Sequence, residues 1–160
     1  MLPFGELVEL TDHLGEGQDE DLGPLRPSDA RPTDAGMTRP ELLEATGLSD
    51  TQLDALVSFG LVSPTGGEGA GTLYDDEALT VAEIAADFAR RGIEARHLKM
   101  YQHSAEREAA LFAQVLVPYV RQRNPAGRAR TQEELEALAH LGRRLRNAML
   151  RRAMRRALIG

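Results

Sequence analysis

The chain has 160 residues, no cysteine and a formal net charge of −6. That length fits one domain, or one domain with a tail, and the lack of thiols excludes disulfides, Cys-ligated zinc and a cysteine nucleophile. No apolar run approaches the roughly 20 residues of a membrane span and no signal segment opens the chain, so a cytoplasmic protein with no membrane partner is expected.

The charge is unevenly spread. Residues 1–37 carry two Arg against nine acids, and residues 38–92 carry three Arg against ten acids. Residues 93–160 reverse the balance, with fourteen bases against six acids. Phosphate binding is therefore disfavoured in the middle of the chain and favoured towards its end.

Residues 1–36 read as an acidic, Pro-rich linker. Pro24, Pro27 and Pro32 stand among Asp and Ser after an acidic run at Glu16–Asp21, and such a composition buries little and solvates well. Disorder is expected from about Gly15 to Gly36. Order is predicted to begin at Met37. Thr38 and Glu41 form a capping box, with Pro40 in the first turn, so a helix is predicted to Thr46 and a stop at Gly47. Ser49 and Gln52 form a second box. Leu53, Leu56 and Val57 then recur at helical spacing until Gly60. Leu61-Val62 is predicted to start a strand. Gly66, Gly67, Gly69 and Gly71 make a loop, and Thr72-Leu73-Tyr74 returns as the second strand of a hairpin wing. Helix, tight turn, capped helix and wing outline a winged helix-turn-helix.

Asp75 is predicted to cap a helix over Asp76–Arg91, with Leu79, Ala82, Ile84, Ala85 and Phe88 facing inward. A short helix over Glu94–Gln102, with Leu98 and Tyr101 inward, precedes a restart at Ser104 that reaches Arg123. Pro118 is expected to kink that run, because it removes a backbone donor. The last helix is predicted to begin near Thr131. Its apolar positions Leu135, Leu138, Gly142, Leu145 and Met149 fall at alternating three- and four-residue steps, as in a coiled-coil seam. Seven Arg between Arg143 and Arg156 make its exposed face basic.

Residues 47–62 resemble the recognition segment of the MerR family, Gly-Val-Ser-x-x-Thr-Leu-Arg-Tyr-Tyr-Glu-x-x-Gly-Leu-Leu. Without a gap, Gly47, Ser49, Leu53, Gly60 and Leu61 agree. Pro64 matches the proline entering the wing, and Tyr74–Leu79 is similar to the wing exit. Arg91-Gly92-Ile93 with Leu98 resembles the turn between the family's next two helices. Gly92–Leu98, Ala105–Glu108 and Arg121–Pro125 then resemble the C-terminal region of actinobacterial FtsR-type MerR regulators. The resemblance implies a fold that is mainly α. Residues 37–103 would be a degenerate MerR-like winged helix, and residues 104–160 C-terminal helices for dimerisation or interaction. It also implies a transcription regulator whose main DNA-binding module lies outside this chain.

The departures concern DNA contact. The family's phosphate-binding Arg falls on Asp54 and its first aromatic on Ala55, and no base stands in Gly66–Thr72. A carboxylate in place of that cation inverts the interaction. The residues left to touch DNA are Ser49, Thr51, Gln52, Thr72 and Tyr74. Two alternatives stay open, a DNA-binding winged helix in its own right and a small-molecule sensor. An effector pocket for the sensor is expected between the winged module and the 104–123 helix.

The expected partner is a second copy of the chain, through Phe112, Leu116, Tyr119, Leu135, Leu138, Leu145 and Met149. A protein partner is an alternative. Arg143, Arg144, Arg151, Arg152, Arg155 and Arg156 form a basic contact face. His97 and His103 are six apart and do not share a helix face, so no metal site is expected. The carboxylates form no acid–base pair and Ser49 and Ser104 have caps to make, so neither an enzyme nor a cofactor is expected.

Overall fold

The computed structural model describes residues 36–67, 69–122 and 124–159, so the expectations for residues 1–35 lie outside the described residues. Five helices and one two-stranded antiparallel sheet follow in the order β1 (Met37–Thr38), α1 (Arg39–Thr46), α2 (Asp50–Ser58), β2 (Leu73–Tyr74), α3 (Asp76–Ala89), α4 (Ala95–Val120) and α5 (Pro125–Ile159). The described residues are thus mainly helical. The chain divides into two compact units that meet in sequence at Ala110 and Leu111. The division expected at 103/104 falls inside α4.

The first helices form where local chemistry marks them. The Glu41 carboxylate accepts hydrogen bonds from Thr38 N at 2.7 Å and Thr38 Oγ1 at 2.8 Å, which fixes the start of α1. Those donors, the backbone one first, hold the Glu41 pKa below its ordinary value. In α2 the box is reciprocal, with Ser49 N donating to Gln52 Oε1 at 2.9 Å and Gln52 N to Ser49 Oγ at 3.2 Å. Between the helices only Gly47, Leu48 and Ser49 intervene. Thr46 is buried, donating through Oγ1 to Leu42 O and accepting from Leu48 N.

The core of the first unit gathers Leu42, Leu48, Leu53, Leu56, Val62 and Tyr74 against the alanines Ala78, Ala82, Ala85 and Ala86 of α3 and Leu98 of α4. Leu42, Leu53, Leu56 and Val62 are almost wholly buried. Each contributes about 1.5–3 kcal/mol by leaving water. α1 packs directly on α3. Asp75 caps α3 as expected, accepting from Ala78 N at 2.8 Å. Ile84 and Tyr101 do not face inward; they are 44% and 56% exposed. Ile84 is two residues from both Ala82 and Ala86, which places it on the far side of α3 from the buried alanines.

Three predicted elements differ. First, Leu61-Val62 is not a strand. Gly60 is left-handed at φ 73°, and Leu61 N and Val62 N both bond back to Leu56 O, so the backbone folds onto the end of α2. β2 pairs instead with β1, in the register Met37↔Tyr74 and Thr38↔Leu73. A single bridge, Gly66↔Leu73, joins its other edge. Second, residues 95–120 form one helix. No Gly or Pro stands between Ile93 and Pro118, and an interior Ser costs only tenths of a kcal/mol. Pro118 falls in the last turn of α4, so little helix lies beyond it to bend.

Third, α5 begins at Pro125 and not near Thr131. Asn124 Oδ1 accepts from Gly127 N at 2.7 Å and Pro125 takes a first-turn position. Thr131 sits inside the helix, its Oγ1 donating to Gly127 O at 2.8 Å. Gly127 is buried, and a Cβ there would lie 2.4 Å from Gln122 O.

Ala82 is fully buried at the centre of the alanine face. Ala82→Leu is expected to overpack that face and lower stability by about 1–3 kcal/mol, read as the midpoint of a urea melt.

Candidate functional site

The surface that a helix-turn-helix would present to DNA is built from α1, the three-residue turn and α2. Arg39 is the only Lys or Arg between Pro32 and Ala89. Its guanidinium is occupied within the chain. Nε donates to Asp50 Oδ1 at 3.0 Å, and Nη2 donates to Asp54 Oδ1 at 2.7 Å and Asp50 O at 3.1 Å. Asp50, more than Asp54, holds the Arg39 pKa above its ordinary value. This clamp ties the start of α1 to the first turns of α2. It also removes the one cation that α1 and α2 carry from a phosphate, which would have to displace two carboxylates.

Asp50 and Asp54 stand out in the sequence as departures from a phosphate-binding face, but their partner does not. Arg39 lies eleven and fifteen residues away, and only the folded turn brings the three together. The one sequence signal was that Arg39 stands alone as a base in an acidic segment.

The residues assigned to DNA contact are dispersed in role. Thr51 and Gln52 are exposed on the first turn of α2. Ser49 and Gln52 share the cap, which occupies Ser49 Oγ and Gln52 Oε1. Thr72 is half-buried and donates through Oγ1 to Gly69 O at 2.7 Å. Tyr74 is only 3% exposed and packs in the core.

A cavity of about 410 Å³ opens beside α2, within the first unit. Its floor is Leu48, Leu56 and Ala85, and Ala89 and Gly92 leave room where longer side chains would fill it. Thr51, Gln52 and Glu94 stand among its lining residues. This space lies between α2, α3 and the start of α4. The sequence signal for it was the run of alanines in α3 followed by Gly92.

In the second unit the seam residues fall into two sets. Phe112, Tyr119, Leu135 and Leu138 are half-buried and Leu116 is buried. The Arg130 guanidinium lies 5.7 Å from the centre of the Tyr119 ring. Leu145 and Met149 are 57% and 49% exposed, and Leu141 beside them is equally open. After Met149 the same three- and four-residue steps lead to Arg152 and Arg156. Of the basic face, Arg143, Arg144, Arg152, Arg155 and Arg156 are exposed and Arg151 is half-buried. Among the described residues, no helix is long and apolar enough to cross a membrane.

A short-turn helix pair packs with an alanine-faced third helix and is followed by two long helices. The family described as Rv1828-like, C-terminal domain, matches residues 35–158, and the chain belongs to that family. Two relatives are the HTH-type transcriptional regulators Rv1828 of Mycobacterium tuberculosis and Mb1859 of Mycobacterium bovis. Each is 29% identical over 119 residues, which make up 74% of this chain and 47% of the relative. The chain therefore spans about half the length of the curated relatives it matches.

Asp50 and Asp54 are well exposed, so solvent screens both ion pairs and each contributes about 0.2–1 kcal/mol. Asp50→Asn with Asp54→Asn is expected to lower the melting temperature by a few degrees while raising affinity for single- or double-stranded DNA at low salt, measured by calorimetry and fluorescence anisotropy.

Proposed function

We propose that this chain is the dimerisation and regulatory half of a MerR-family transcription regulator of the FtsR type, with its main DNA contact made by a module outside the chain. In this reading α1 and α2 with the Gly66–Leu73 turn form a degenerate winged helix-turn-helix that keeps its packing residues. The observation that carries the proposal is the Arg39 clamp, because the one base that α1 and α2 carry is held by two carboxylates. The names of the two relatives support a role in transcription. Their extra length leaves room for a separate DNA-reading module.

The homodimer is supported by the open apolar seam on α5. Leu141, Leu145 and Met149 leave water when a second copy covers them. Charge favours an antiparallel arrangement. α5 carries Glu133, Glu134 and Glu136 in its first half and ends in arginines, so antiparallel pairing about Leu141 and Leu145 sets these acids level with Arg151 and Arg152 of the other copy. Parallel pairing would stack Arg152 and Arg156 on their own copies. The cavity beside α2 supports a second role, sensing of a small molecule.

Leu145→Asp is expected to halve the mass measured by light scattering, with the helical circular dichroism retained. An unchanged mass rejects this seam.

A further inference from the structure

We infer that the cavity beside α2 is a binding site for a small alkylamine bearing an aromatic ring, and that its occupation covers the exposed polar residues of α2. The inference rests on the sensing role proposed above and names its site and ligand class. The volume of about 410 Å³ falls in the ~300–1,000 Å³ range of small-molecule sites. The floor is apolar, with Leu48, Leu56 and Ala85 all less than 8% exposed. Ala55 from α2 and Ala89 from α3 set its width. Leu, Met or Phe at either position would occupy the space, so the room depends on these two small side chains. A flat apolar ring system fits such walls, because it buries area without polar groups that need partners.

The rim decides the ligand's polar end. Among the described residues, Glu94 is the only charged one lining the cavity. Arg96 Nε holds its Oε2 at 3.1 Å, which leaves Oε1 without a protein partner among the described residues. Gln52 spends Oε1 on the cap, so its amide nitrogen remains to donate outward. Thr51 Oγ1 likewise has no protein partner among the described residues. A carboxylate, a hydroxyl and one amide donor therefore surround an apolar floor. The surrounding residues 38–92 carry ten acids against three Arg, which attracts a cation and repels an anion. An ammonium group at the rim, with its ring on Leu48 and Leu56, satisfies these groups together. A ligand seated this way lies over Thr51 and Gln52, so it excludes any nucleic acid or protein that uses them.

The chain has no Trp, so naphthalene fluorescence reports binding without interference. Naphthylmethylamine, naphthylacetate and methylnaphthalene are titrated against the whole chain. The amine is expected to bind saturably and the acetate about tenfold or more weakly, equivalent to about 1.4 kcal/mol. Ala89→Leu and Ala55→Leu should each weaken the amine about tenfold or more while their helical melts stay intact. Either variant that keeps its fold suffices. Glu94→Gln, an exposed change, should erase the preference for amine over methylnaphthalene and leave methylnaphthalene binding unchanged. No saturable amine binding, equal or tighter acetate binding, or full affinity in a folded leucine variant overturns the site. A dimeric mass without ligand, found together with any of these results, leaves the regulatory reading standing and rejects the site alone.

Discussion

The alanine face of α3 is the constraint on which the first unit depends. Ala78, Ala82, Ala85 and Ala86 are all buried, and none projects beyond a methyl group. Interaxial distance follows side-chain size at the contact, so a helix as short as α1 can lay Leu42 directly on α3, with Leu53 and Leu56 of α2 in the same buried cluster. Helices of eight and nine residues would not persist alone in water. Their stability comes from this burial, with the two capping boxes fixing where each begins. The same economy of volume, continued at Ala89 and Gly92, leaves the cavity beside α2.

Electrostatics then decides what this scaffold can present. A helix-turn-helix needs cations on its outer face to gain affinity from counterion release. Here α1 and α2 carry one Arg, and Asp50 and Asp54 accept hydrogen bonds from it. The arrangement is weak as a source of stability, since both carboxylates are well exposed. Its consequence lies in charge. The α1–α2 face is acidic and internally paired, while positive charge is concentrated at the end of α5.

Much of this was legible from residues close together in the chain. Thr38 with Glu41, Ser49 with Gln52, and Asp75 before α3 were read as caps because capping is a contact across three residues. The glycine stops at Gly47 and Gly60 were legible for the same reason. What depended on distant residues was not. The partner of Tyr74 is Met37, thirty-seven positions away, so the strand was assigned to the wrong neighbour. The Arg39 clamp and the cavity required the turn to be folded first. The helix boundaries failed differently. Ser104 and Thr131 carry cap-forming side chains, yet nothing before Ser104 breaks α4, and Asn124-Pro125 starts α5 one and a half turns before Thr131. Hydrophobicity points both Ile84 and Tyr101 inward, but Ile84 faces away from the buried alanines, and Tyr101, one turn after Leu98 and 5.8 Å from the Phe88 ring, stays 56% exposed.

The account turns on whether the α1–α2 face has lost its affinity for DNA, and a salt-dependent titration tests that most directly. Fluorescently labelled duplex is titrated with the chain from low to physiological salt, beside the same chain carrying Arg152→Ala, Arg155→Ala and Arg156→Ala. The account predicts that any binding at low salt is weak, independent of sequence and abolished by the three arginine changes. Sequence-specific binding that survives those changes and is lost on Thr51→Ala with Gln52→Ala would contradict it.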